Sequence, residues 1–149
     1  MVVLMDTIRG SNARVPKDLL FCSDYVEIWY DAEHQWIYVD WIGSQNLHTI
    51  QQGSQKILGF LKEKNCSKIL NNNHQVKGPW LDACYYVADE LLPQLTEAGL
   101  NYLAWIQSPN PYSQYSTEQT LEATSLAIKN QISTFQSLPV AKEWLKSVC

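Results

Sequence analysis

Closely spaced cysteines are missing from this chain. Cys22, Cys66, Cys84 and Cys149 form no C-x-x-C motif. Zinc sites and the disulfide frameworks of short secreted chains both show tighter spacing, so four reduced thiols in a cytoplasmic protein are expected. Asn65-Cys66-Ser67 matches a glycosylation sequon, which carries no meaning without secretion. Basic residues are few and scattered. Eleven Lys and Arg against fifteen Asp and Glu give a net charge of −4, and no basic patch is visible that would release counterions from a phosphate backbone. Nucleic acid is therefore not expected as a partner. No apolar run approaches the roughly 20 residues of a membrane-spanning helix. Met1 to Met5 are apolar, but without a basic leader and a long apolar middle they do not read as a signal peptide. The sequence holds no G-x-G-x-x-G, no P-loop and no G-x-S-x-G, which leaves the usual phosphate cradles and nucleophile elbow without a match. His34, His48 and His74 have no acid or second His at ligand spacing, so no metal and no cofactor are expected.

Aromatic residues are plentiful. Six Trp and eight Tyr in 149 residues exceed what a single core of this size needs, and such rings are enriched where proteins meet partners. The length suits one domain, and the apolar fraction of 46% supplies a core. Residues 1–20 carry Gly10, Ser11, Asn12 and Pro16 without periodicity and read as a loosely ordered leader, with a single domain over 21–149.

Two β-rich runs, residues 25–30 and 35–42, flank the polar turn 31–34 and predict an antiparallel hairpin. Alternation puts Ile37, Val39 and Trp41 on one face, and Trp36, Tyr38 and Asp40 on a polar-aromatic face suited to water or a second subunit. Leu47, Ile50, Ser54, Ile57, Leu58 and Leu61 then form a helical stripe with Ser44 or Asn46 as cap. A short strand over 68–71 follows. A second helix opens at Pro79, is apolar on two sides, and is expected to kink at Pro93 and close at Gly99. Residues 100–106 read as a central parallel strand. Ser116 and Gln119 have capping-box spacing for a helix through Leu121, Thr124 and Ile128. Residues 131–135 read as a last strand, and Ser137 as the cap of a final helix with Val140, Ala141, Trp144, Leu145 and Val148 inward. The fold class is thus α/β: a mixed, mostly parallel sheet of about five strands, with an N-terminal antiparallel hairpin followed by alternating helices and strands.

The hairpin around Asp31-Ala32-Glu33, the phrase Leu70-Asn71-Asn72-Asn73, the segment from Trp80 to Pro93, Ala98-Gly99-Leu100 and the closing Ala141-Lys142-Glu143-Trp144-Leu145 carry a resemblance. Over roughly residues 21–148 the chain resembles small bacterial proteins with the STAS-like fold of anti-sigma-factor antagonists, and distantly the CRAL-TRIO lipid-carrier domains. The resemblance implies a sheet wound with helices as a superhelix, and a bacterial cytoplasmic protein. Sigma-regulating members carry a phosphorylatable hydroxyl just after the third strand. Here that stretch reads Asn71-Asn72-Asn73-His74, so the resemblance does not extend to a kinase-controlled switch.

Ligands of open parallel sheets sit beyond the carboxyl ends of the strands. Two segments read as loops there, residues 71–79 and 107–115. They supply the candidate ligand- or partner-binding residues: Asn72, Asn73, His74 and Trp80 from the first, and Ser108, Tyr112, Gln114 and Tyr115 from the second. Amides, one titratable ring and aromatic faces suit a neutral or flat ligand or a protein surface. Asn-rich turns also arise from backbone preference alone, and a Trp opening a helix commonly anchors a core. No catalytic constellation emerges. The expectation is a non-enzymatic binding or regulatory module acting through a protein partner or as a homodimer. The alternative is a carrier or sensor of a small apolar or flat ligand held between sheet and helices. A third reading, an enzyme using His74 as base among the Asn residues, has the least behind it, because no partner group for that ring is evident.

Overall fold

The computed structural model describes residues 17–149. Most of the leader read from sequence, residues 1–16, lies outside the described residues. Among the described residues six strands form one sheet in the order β1-β2-β3-β4-β5-β6: β1 (Lys17–Cys22), β2 (Val26–Asp31), β3 (Trp36–Gly43), β4 (Lys68–Val76), β5 (Tyr102–Ile106) and β6 (Ile132–Phe135). The first three pair antiparallel and the last three join in parallel. The mixed α/β fold is the expected one, with β1 as an edge strand added to the anticipated five. Leu19 and Phe21 straddle a register shift in β1, which breaks the alternation by which a strand is read from sequence.

Three parallel crossovers step in one direction across the sheet. Right-handed connections then place their helices on the same face. These are α1 (Leu47–Lys64), the pair α2 (Cys84–Tyr86) and α3 (Leu92–Glu97), and the pair α4 (Pro111–Ala123) and α5 (Leu126–Lys129). The main core forms between them and the sheet, around Ile28, Ile37, Val39, Ile69, Leu91, Leu103 and Trp105. The last helix, α6 (Leu138–Ser147), crosses to the other face and buries Ala141 and Leu145 against Trp36, Leu70, Ala104 and Ile106. Val140, expected inward, is exposed.

Local chemistry explains most boundaries. Asn46 caps α1 through a reciprocal box with Thr49. The hairpin turn is stapled by His34 Nδ1, 2.9 Å from the buried Asp31 carboxylate, with the His34 ring stacked on Trp36 at 4.5 Å. Between α2 and α3 the chain widens into a π turn over Val87–Leu91. Pro93 follows at the start of α3; its ring and missing N–H disrupt an α-helical ladder over the preceding turn, and the wider turn accommodates them.

Two expected loops are shorter than read, 77–79 and 107–110 alone being loop. β4 continues through Val76, so Asn71, Asn72 and Asn73 are strand residues, because their amides find partners within the sheet rather than in a turn. The helix expected to be capped by Ser116 begins six residues earlier. Asn110 caps it, accepting from Tyr112 N at 2.9 Å and Ser113 N at 3.2 Å, and Pro111 takes its first turn. Ser116 instead donates to the Tyr112 carbonyl and accepts the Trp80 N–H.

Candidate functional site

The candidate residues divide among three places. Beyond the carboxyl ends of the strands lies a basin lined by Ile42, His74, Gln75, Lys77, Ser108 and Asn110. Most of its polar groups are already bonded to the protein. Ser108 Oγ donates to the Val76 carbonyl at 2.7 Å, Gln75 Nε2 to the Asp40 carboxylate at 3.0 Å, and the Gln114 amide to the Ser108 carbonyl at 2.9 Å. His74 is exposed there, and its backbone N–H is held by Asn72 Oδ1.

The second place is the interior. A chamber of about 70 Å3 lies between the sheet, α1 and the π turn, with Trp41, Ser54, Asn73, Trp80, Val87 and Trp105 on its walls. Trp80 is 4% exposed and serves as a core anchor. Its backbone N–H donates to Ser116 Oγ and its indole N–H to Ser113 Oγ, while its ring stacks on Trp105 at 6.3 Å. Trp41 Nε1 donates to Asn71 Oδ1, and Asn71 Nδ2 donates to Asn73 Oδ1. Asn72 points to the opposite sheet face and donates to the Tyr38 hydroxyl at 3.0 Å.

The third place is the outer surface of α2 and α4. The two helices meet through small and hydroxylated residues, with Cys84 Sγ 3.3 Å from the Ser116 carbonyl. Their close approach is made by a buried face of Ser113, Ser116, Thr117, Thr120 and Thr124. Ser116, Thr117, Thr120 and Thr124 each return a hydroxyl hydrogen bond to the carbonyl four residues earlier, which removes the cost of burying them. Around this seam large rings point outward: Tyr85 is 72%, Tyr112 66% and Tyr115 51% exposed, with Leu81 at 48%. From residue 78 to residue 128 the chain has six acids, Asp82, Asp89, Glu90, Glu97, Glu118 and Glu122, and no Lys or Arg. Asp82 is partly engaged, accepting the Leu47 N–H at the start of α1. The exposed tyrosines are therefore carried by a stretch of sequence that is acidic and without a base.

Of the eight candidates, Asn73 and Trp80 meet in the chamber, His74 and Ser108 in the basin, and Tyr112 and Tyr115 on the α4 surface. Asn72 and Gln114 make structural hydrogen bonds elsewhere. Sequence reading missed Ser54, Trp41 and Trp105 as chamber walls, because each sits in an ordinary apolar stripe. It missed Tyr85 because that residue lay on a helix taken as apolar on two sides. Among the described residues no cluster of three His, Cys, Asp or Glu is placed to hold a metal, and no helix is long and apolar enough to cross a membrane.

Burial pushes the Cys66 thiol up to about 11 and raises that of Cys84. Both are protected rather than nucleophilic thiols. Burial, with Glu27 beside it, also raises the Asp40 carboxyl on the open sheet face.

No protein-family model matches the chain, and no curated protein matches it. Among solved structures, it is similar to the anti-sigma factor antagonist SpoIIAA in its unphosphorylated form. That likeness has a TM-score of 0.53 and 11% sequence identity over 90% of this chain and 99% of that one. At such identity the likeness concerns architecture. The chain has the STAS-like fold of the anti-sigma-factor antagonists.

Proposed function

We propose that this protein is a non-enzymatic interaction module that recognises a basic segment of another protein through the outer surface of α2 and α4. The observation that carries the reading is the cluster of exposed rings, Tyr85, Tyr112 and Tyr115 with Leu81, set in a stretch with six acids and no base. Tyrosines give large, rigid contact area, and acidic rims steer partners of opposite charge. Arg side chains satisfy both features, by ion pairing with the acids and by stacking over tyrosine faces. Pairing of this surface with its own copy sets acid against acid across a two-fold axis, so the favoured partner is a different chain rather than a homodimer through this face. The likeness to SpoIIAA, an anti-sigma factor antagonist, supports a regulatory module over an enzyme.

The test is cross-linking capture of partners by the wild-type protein and by a Tyr85→Ser/Tyr112→Ser variant, at low salt and at 0.5 M salt. A partner recovered by the wild type, lost by the variant and weakened by salt supports the reading. Recovery of the same partner by both proteins, or no specific partner at low salt, contradicts it.

A further inference from the structure

We infer that the interior chamber is a binding site for a small uncharged molecule of a few heavy atoms with one hydrogen-bond acceptor, to which the Trp105 indole N–H donates. The polar inventory of the chamber carries this. Trp105 Nε1 and Ser54 Oγ are sealed from solvent and have no hydrogen-bond partner among the described residues. Both residues line the chamber; Trp105 is 4% exposed and Ser54 fully buried. Buried donors are almost always satisfied, and leaving one unmade costs on the order of 1–3 kcal/mol.

Ser54 is unusual among the helical hydroxyls of this protein. Four hydroxyl residues of α4 bond back to the carbonyl of the preceding turn. Ser54 makes no such bond, so its hydroxyl is available to whatever occupies the chamber. Two neighbouring amides, Gln45 and Asn71, are committed, while Asn73 is bonded only through its side-chain oxygen. Gln45 Nε2 donates to the Tyr25 and Ile42 carbonyls and its oxygen accepts from Thr49, while both polar atoms of Asn71 are used.

The chemical class follows. An indole N–H only donates, so the occupant supplies an acceptor. Among the described residues no Asp, Glu, Lys, Arg or His lines the chamber, so a charge there has no counter-ion from them and is disfavoured by desolvation. At roughly 30 Å3 per water, the 70 Å3 chamber holds about two waters or one molecule of a few heavy atoms, and it is too small for an aromatic ring. Val87 and Leu91, at the two ends of the π turn, form part of the wall, and such turns recur at functional sites because they widen the helix locally. The inference stands independently of the tyrosine surface.

The experiment uses acetone and isobutene, which share a shape and differ in the polar atom. Binding is followed through the six indole N–H resonances of the full chain, with Trp105 identified by the signal lost in Trp105→Phe. Acetone is expected to move the Trp105 signal and to bind about fivefold more weakly to Trp105→Phe than to the wild type, the equivalent of one net hydrogen bond, while isobutene binds both alike. If that variant does not fold, Ser54→Ala provides the comparison, and the wild-type signal alone decides whether the indole is engaged. Equal loss of both probes in Trp105→Phe, or a Trp105 signal unmoved by acetone, overturns the inference and assigns the chamber to enclosed water.

Discussion

The indole N–H of Trp41 on β3 donates to the side-chain oxygen of Asn71 on β4 at 2.9 Å, and Asn71 passes a second hydrogen bond to Asn73 at 3.1 Å. Two amides are thereby held on the core face of a parallel strand, where apolar residues would ordinarily sit. Replacing Asn71 by Ala leaves the Trp41 N–H without its acceptor. The expected loss is about 1–3 kcal/mol of stability, read as a fall in the urea midpoint with an unchanged slope.

Gly53 gives an independent check on the same wall. A methyl group added there would lie 2.6 Å from the Trp41 ring, closer than carbon atoms approach. Gly53→Ala gains about 1 kcal/mol in helix propensity, yet overpacking costs typically 1–3 kcal/mol. The ring is already fixed by its bond to Asn71, so net destabilisation is expected in urea unfolding. Gly59, where an added methyl meets nothing within 4 Å, provides the control, and Gly59→Ala is expected to stabilise.

These two residues mark how far sequence reading reaches. Alternation in 36–42 separates the two faces of β3, but the face read as suited to water or a second subunit carries Trp36 into a second core under α6, because the last helix crosses to that side. The α1 stripe from Ile50 to Leu61 is equally legible, and Gly53 within it reads as a weakness until the Trp41 ring is seen across it. The Asn run fails for a physical reason: Asn favours turns in isolation, and only tertiary partners on β3 keep it extended. The start of α4 fails similarly. Its inward face is Ser and Thr rather than apolar, so hydrophobic periodicity passes over it. Tyr112 and Tyr115 read as loop residues beyond the strand ends, whereas they are exposed on α4; the exposure of Tyr85 required the packing of α2 on α4.

Asp40 predicts a pH dependence. Burial and Glu27 raise its carboxyl above the ordinary range, with a hydrogen bond from Gln75 and the nearby His74 acting in the opposite sense. A folded-state value above the unfolded one means that the native state binds the proton more tightly. Its contribution is therefore fully present below the ordinary carboxylate range near pH 4 and lost as pH rises through the folded value. Asp40→Asn keeps an acceptor for Gln75 and does not titrate. The variant is expected to match the wild type near pH 3.5 and to gain relative stability by pH 7, measured by urea unfolding at both. A constant difference across that range contradicts the assignment.

Thiol chemistry should separate the four cysteines. Cys22 and Cys149 are exposed, whereas Cys66 and Cys84 are buried and their thiols are raised by burial. A thiol reagent at pH 8 is expected to modify two cysteines rapidly in the native protein and the other two only on unfolding. Four equally fast reactions contradict the packing of α2 on α4 around Cys84.

The most direct test of the interaction surface is a titration of the 15N-labelled protein with a short arginine-rich peptide, followed residue by residue. The account predicts shifts concentrated at Leu81, Tyr85, Tyr112, Tyr115 and Glu118, lost in the Tyr85→Ser/Tyr112→Ser variant and suppressed at 0.5 M salt. Shifts centred on Glu27 and Asp40 of the open sheet face, or none at low salt, contradict it.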